Sequence, residues 1–235
     1  MPRKALRTSH LGIKMNSQSA KMEKRLAAAI AEVEETIASQ FGLTAVVEPR
    51  LYLDALIGEL NRLYAKTIGV QFEQAFRGPT RTSMEPDGGF MWIKEWGEEP
   101  RRYVLVAEAK RQGVNDVRKL EGKGKQRPGN AIERLGKNMR GFDALFLGEK
   151  ITPFVCFGEG CDFATDVTII DRVATMNGLL PLNRVFVDKI ALRDDMLKPT
   201  SLFFRVAPWT PEEMFSVLID VAEQAIAYYK YEYGL

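Results

Sequence analysis

The chain is short of the residues on which much hydrolytic chemistry depends. Its 235 residues include one histidine, His10, and two cysteines, Cys156 and Cys161. A Ser-His-Asp hydrolase or a histidine-based nuclease would have only His10 to use, in a basic, aperiodic tail, which removes both classes. A Cys/His zinc site needs more ligands within reach than these three residues offer. The two cysteines read as buried free thiols, because a disulfide is unexpected in a reducing compartment. No apolar run approaches membrane-spanning length, and the first residues lack the apolar stretch of a secretory signal. A cytoplasmic protein with no membrane partner is the expectation.

Net charge is also nearly absent, at +2, but its distribution is uneven. Residues 1–25 hold Arg3, Lys4, Arg7, Lys14, Lys21, Lys24 and Arg25 against Glu23 alone. Residues 111–140 hold Arg111, Arg118, Lys119, Lys123, Lys125, Arg127, Arg134, Lys137 and Arg140 against Asp116, Glu121 and Glu133. Positive charge gathered in two places on a near-neutral protein is the footprint of a polyanion partner.

The length suffices for one large domain with a full core, and no repeat, low-complexity tract or long linker divides it. Residues 1–16 read as a basic, mobile arm and 17–235 as a single domain. Met22, Leu26, Ile30, Val33 and Ile37 recur at helical spacing, predicting a helix over 17–40 with Gly42 as its stop. A second amphipathic helix is predicted over 52–65, followed by an irregular stretch over 67–85. Strands are predicted at 90–96 and 103–109, joined by a hairpin turn at 97–100, with more at 151–157, 184–190 and 202–206. Gly122, Gly124, Pro128 and Gly129 break the basic segment, and a helix over 130–142 follows it. Thr210-Pro211-Glu212-Glu213 starts a terminal helix reaching about residue 231, with Thr210 as N-cap. This order fits an α/β fold with a central mixed β-sheet flanked by helices.

The most informative pattern is Pro86-Asp87-Gly88-Gly89, then Glu108-Ala109-Lys110 at the end of the apolar run Tyr103–Ala107. Residues two apart on a strand share a face, so Glu108 and Lys110 point the same way. The Pro-Asp-Gly-Gly turn can place Asp87 beside them. Two carboxylates meeting at one point repel unless a cation sits between them, and hard oxygen ligands suit magnesium. Each half has a plainer reading: Asp-Gly is a common turn dipeptide, and Glu-Ala-Lys can be a solvated strand end. The apolar run before Glu108 makes an ordinary surface position less fitting.

Beyond the basic segment, Asn130, Glu133, Arg134 and Lys137 stand at i, i+3, i+4 and i+7, on one helical face. Asparagine can bind adenine through N6 and N7, and arginine donates well to purine N7. The same residues also describe an ordinary amphipathic helix with Asn130 as its cap.

Taken together, three strings resemble the EcoRI family of type II restriction endonucleases. They are Pro86-Asp87-Gly88-Gly89, Val104–Lys110 with Gln112-Gly113, and Gly129-Asn130-Ala131-Ile132-Glu133-Arg134 with Lys137-Asn138. Weaker similarity continues through Pro153-Phe154-Val155, Glu159-Gly160 and Asp162-Phe163, covering roughly 80–190. The resemblance implies a restriction-endonuclease-like PD-(D/E)XK fold and a homodimer cutting both strands of a palindrome in double-stranded DNA. Magnesium is implied, with manganese able to substitute. So is a host DNA methyltransferase that is not a stable partner.

By position, Asp87, Glu108 and the Ala109 backbone carbonyl would hold the metal, and Lys110 would complete the catalytic set. Gly129, Asn130, Ala131, Glu133 and Arg134 would read the central bases, in a loop resembling an AATT reader. Lys119, Lys123, Lys125, Arg127 and Lys137 would meet the DNA around it. Pro128 departs from the family's small residue. The stretch 163–172 is shortened, leaving Arg172 as the one match to a pair of outer-base arginines, so a four-base AATT site is preferred to a six-base site with that centre. Two other readings stand beside this one. A structure-selective repair nuclease or nickase of the same superfamily would not need a base-reading helix. A catalytically silent DNA-binding protein would not need Asp87, Glu108 and Lys110 intact.

Overall fold

Two long helices share one face of a mixed sheet because each carries a continuous apolar stripe. The computed structural model describes residues 17–68, 83–97, 101–113, 118–124, 135–136, 138–139, 141–142, 145–146, 149–163, 184–187, 190–191 and 201–235. Helix α1 spans Ser17–Phe41 and ends where Gly42 adopts φ 65°. Helix α2 spans Leu53–Ile68, and α3 spans Pro211–Tyr233. At the start of α3, Thr210 accepts from the Glu213 N–H while the Glu213 carboxylate accepts from the Thr210 N–H, a reciprocal capping box. The stripe of α1 (Met22, Leu26, Ala29, Ile30, Val33, Ile37) and that of α3 (Met214, Leu218, Val221, Ala222, Ala225, Ile226) are fully or nearly buried.

The strands are β1 (Ala45–Glu48), β2 (Leu51–Tyr52), β3 (Ser83–Met84), β4 (Phe90–Ile93), β5 (Tyr103–Arg111), β6 (Phe154–Glu159), β7 (Arg184–Val187), β8 (Ile190–Ala191) and β9 (Ser201–Arg205). Seven of them form one sheet in the order β1-β4-β5-β6-β9-β7-β8, while β2 and β3 pair separately. Strands β4 and β5 are antiparallel, as are β7 and β8, whereas β5, β6, β9 and β7 run parallel to one another, so the sheet is mixed. Between β4 and β5 the register slips at Met91/Trp92, leaving Val104 and Leu105 both packed on the α1/α3 side. Alternation then resumes, sending Ala107 and Ala109 to that side and Glu108 to the other.

The opposite face carries Phe90, Trp92, Val106, Phe154, Cys156, Leu202 and Phe204, covered by Leu56 of α2 and by Leu135, Met139 and Phe142. Residues 135–136, 138–139 and 141–142 are helical, in keeping with the helix predicted over 130–142. Near the carboxyl ends of β5 and β6, Arg25 of α1 grips both carboxylate oxygens of buried Glu159 at 2.7 Å. The Trp209 N–H donates to the same group at 3.0 Å, so one carboxylate ties α1 and the approach to α3 onto the sheet.

Several expectations need correction. The strand predicted over 90–96 stops at Ile93, and Lys94–Trp96 form a 3-10 turn. There the Glu95 carboxylate accepts from the Thr44 N–H at 2.8 Å, and the Lys94 N–H reaches the Thr44 carbonyl. The strand predicted from 151 begins after Pro153, which has no N–H, and runs on to Glu159. The segment 184–190 holds two antiparallel strands instead of one. Strands β1, β2 and β3 were not predicted, α2 continues to Ile68, and α3 continues to Tyr233. Cys156 is buried as expected, but Cys161 is only partly so. The N-terminal arm lies outside the described residues.

Candidate active site

The site is built where a turn meets a strand end. Asp87 leads into β4, and β4 pairs with β5 so that Phe90 stands opposite Val106. The Gly88 N–H donates to the Ala107 carbonyl at 2.9 Å, fixing the turn against β5 just before Glu108. The Asp87 carboxylate then accepts from the Ala109 N–H at 3.1 Å. Both glycines are required by space. A Cβ on Gly88 would stand 2.8 Å from the Ala107 Cβ, and one on Gly89 would stand 2.7 Å from the Glu48 carbonyl oxygen. Gly89 also has φ 74°, which L side chains resist. Gly89→Ala should therefore destabilise the fold by roughly 2 kcal/mol or more. Urea unfolding measures this, and an unchanged midpoint would contradict the tight turn.

Lys110 closes the group. Its Nζ donates to the Glu108 carboxylate, lies 3.2 Å from the Asp87 carboxylate and reaches the Ala109 carbonyl at 3.1 Å. Glu108 is 1% exposed, while Asp87 is open to solvent. The Glu108 Oε1 also accepts from the Asn138 side-chain amide at 3.3 Å, whereas its buried Oε2 has no hydrogen-bond partner among the described residues. Burial is the main force pushing the Glu108 carboxyl up to about 7; the Lys110 charge opposes it and the Asp87 charge adds to it. Burial works against the charge of Lys110, but Glu108 and Asp87 outweigh it and hold its pKa above the ordinary value. Sequence spacing placed Glu108 and Lys110 on one face, and the β4–β5 register brings Asp87 to them.

A family model described as restriction endonuclease EcoRI matches residues 15–234. The chain belongs to that family. It is 33% identical over 181 residues to the type II restriction enzyme RsrI of Cereibacter sphaeroides, covering 61% of this chain and 63% of the relative. It is 29% identical over 182 residues to the type II restriction enzyme EcoRI of Escherichia coli, covering 63% of this chain and 65% of the relative. The chain thus matches somewhat less than two thirds of the length of these curated relatives.

In this EcoRI-family chain, two residues beside the trio were given no role from sequence, although Lys137-Asn138 was among the matching strings. Asn138 is one, and Glu23 of α1 is the other. Burial raises the Glu23 carboxyl, and the nearby Asp87 charge raises it further. Helical spacing could have found Glu23 only once Leu26 was known to lie against the Gly88 turn. Of the residues expected to meet DNA, Lys119 is exposed on a short helical turn and Lys123 is exposed just beyond it. Lys123 forms an ion pair with Glu121 at 2.9 Å, and the Arg118 Nε–H donates to the Gly124 carbonyl at 2.7 Å. Gly129, Asn130, Ala131, Glu133, Arg134, Lys125, Arg127, Lys137 and Arg172 lie outside the described residues. Among the described residues no cluster of three His, Cys, Asp or Glu side chains could hold a metal, and no helix is long and apolar enough to cross a membrane.

Proposed function

We propose that the chain is a type II restriction endonuclease, a magnesium-dependent enzyme that cuts both strands of DNA at a palindrome with an AATT core. The observation that carries this reading is the convergence of Asp87, Glu108 and Lys110 at the end of β5. The names of the RsrI and EcoRI relatives support the same class of reaction.

The donor set suits a hard cation. Glu108 has a buried oxygen with no described partner, Asp87 is open to solvent, and the carbonyl of Ala109, the residue after Glu108, lies 3.1 Å from the Lys110 Nζ that engages both carboxylates. Two carboxylates and a carbonyl, with water and substrate phosphate completing the shell, match the habits of magnesium, which rarely has an all-protein cage. Asp87, Glu108 and Ala109 would hold the ion; when bound it supplies Lewis-acid polarisation of a phosphoryl oxygen and lowers the pKa of water. Lys110, a cation with three N–H donors, would orient the attacking water and offset negative charge gathering on the phosphorus oxygens. Asp87 receives the Ala109 N–H, which fixes one of its oxygens and restrains the carboxylate.

Asn130, Glu133 and Arg134, with the backbone at Gly129 and Ala131, would read the AATT bases, and Arg172 any outer pair. Lys119, Lys123, Lys125, Arg127 and Lys137 would contact the DNA around them. A C2 homodimer matches the two half-sites of a palindrome. A plasmid digest with and without magnesium tests the reading. Discrete bands in magnesium or manganese, and none in calcium, support it. Single-strand nicks, or a gel shift without cutting, would overturn it. Sequenced ends lacking AATT would overturn the recognition assignment, and random or fixed flanking bases separate the four-base site from the longer one.

Salt should weaken binding steeply, because the basic segments displace counterions from phosphates. Lys123→Ala and Lys125→Ala are expected to lower affinity for all sequences alike. Asn130→Ala is expected to cost roughly 1–3 kcal/mol of discrimination at adenine for a lost bidentate contact. Competition binding with cognate and altered duplexes distinguishes the two behaviours, and equal losses on every duplex for Asn130→Ala would remove it from base reading.

A further inference from the structure

We infer that Asn138 is a positioning residue: its side-chain amide holds one oxygen of Glu108, so that the other stays free and aimed for the metal. The inference rests on the active-site reading above. Three observations join in it. The Asn138 Nδ2 donates to the Glu108 Oε1 at 3.3 Å, on the oxygen that Lys110 also engages. The second oxygen, Oε2, is buried and has no hydrogen-bond partner among the described residues. The helical stretch carrying Asn138 is anchored on the sheet through its neighbours, with Leu135, Met139 and Phe142 almost fully buried in the core on the Glu108 side.

A carboxylate on a β-strand can rotate about its last bond, exchanging its two oxygens, unless something distinguishes them. Lys110 alone distinguishes them poorly, because its ammonium is also shared with Asp87 and the Ala109 carbonyl. A neutral amide donor from a separate, core-anchored element adds direction without adding charge. Hydrogen-bonded partners of this kind around a ligating group commonly govern how well the ligand binds its ion. In sequence, Asn138 lies four residues after Arg134 and eight after Asn130.

The test uses the full chain and a fluorescent duplex containing AATT, with binding followed by anisotropy, first without divalent cation and then through a calcium titration. Asn138→Leu keeps the size and removes the donor; Asn138→Gln keeps the donor on a longer arm. Asn138→Leu should bind the duplex within twofold of wild type without cation. It should need about tenfold more calcium, or more, to reach the tightened complex. Asn138→Gln should recover at least part of that difference. In magnesium, the single-turnover rate of Asn138→Leu at saturating DNA should fall by about 10–100-fold, with half-saturation by DNA unchanged.

A calcium midpoint equal to wild type for Asn138→Leu overturns the inference. So does a tenfold loss of metal-free affinity with an unchanged midpoint, since the residue would then be a DNA contact. Failure of Asn138→Gln to differ from Asn138→Leu overturns it as well. A wild-type calcium midpoint in Glu108→Ala would instead overturn the metal-site reading on which it stands.

Discussion

Alanine at Glu108, Asp87 or Lys110 is expected to lower single-turnover DNA cleavage by about 10³-fold or more, the scale seen when a charge-stabilising group is removed from a preorganised site. Each loss acts differently. Glu108→Ala removes the buried carboxylate whose second oxygen has no described partner. Asp87→Ala removes the solvent-open carboxylate and leaves the Ala109 N–H without its acceptor. Lys110→Ala removes the ammonium that lies between both carboxylates and leaves them to repel. DNA binding should remain measurable in all three, because the basic segments at 1–25 and 111–140 are untouched. In Lys110→Ala, metal-free binding should weaken most, since a cation is lost while two carboxylates remain facing the phosphates. Rapid-quench cleavage and anisotropy on the same preparations give both quantities. Turnover like wild type by Glu108→Ala would end the active-site assignment.

Without divalent cation, the folded protein should lose on the order of 3 kcal/mol of stability between pH 4.5 and about pH 7 from Glu108 alone. The direction follows from its raised pKa. In the unfolded chain the carboxyl titrates near 4.5, while burial in the fold pushes it up to about 7. Below pH 4.5 both states hold the proton and the contribution is fully present. As pH rises, the unfolded state releases the proton first, which favours unfolding until the folded carboxyl also ionises near 7. Lys110 does not contribute a slope in this window, because its raised pKa gives stability that persists until pH passes the ordinary lysine value. Urea unfolding of wild type and Glu108→Gln at pH 5 and pH 8 isolates the effect, since other carboxylates titrate alike in both. Wild type should lose the stated amount relative to the variant, and magnesium at pH 8 should return part of it to wild type only. Parallel pH profiles would show that Glu108 is not held in the buried site described, where desolvation outweighs its partners.

Much of the helical frame was legible because the signals are local. Helix α1 was recognisable from apolar residues at helical spacing and a stop at Gly42, and α3 from the Thr210-Pro211-Glu212-Glu213 start. The buried strand β5 was legible from an apolar run longer than a surface position tolerates. Strand β1 was missed because Ala45-Val46-Val47-Glu48 is short and half-buried, so its identity comes from pairing with β4 and not from its own pattern. The end of β4 was misplaced for the same kind of reason, since the Thr44–Glu95 contact that turns the chain there joins residues distant in sequence.

Glu108 and Lys110 needed no tertiary information to share a face, because alternation along one strand places residues two apart together. The sequence by itself also carried the three motif strings that mark the EcoRI family, and the family match over residues 15–234 agrees with them. That Asp87 meets Glu108 and Lys110 was decided only in three dimensions, by the β4–β5 register and the packing of Gly88 against Ala107. The same holds for Asn138 at Glu108 and for Glu23 near Asp87, which come from a helical segment on one face of the sheet and from α1. Spacing along a chain determines which side chains of one element point together. Which elements meet, and at what register, depends on how their apolar faces pack, and no local pattern encodes that distance.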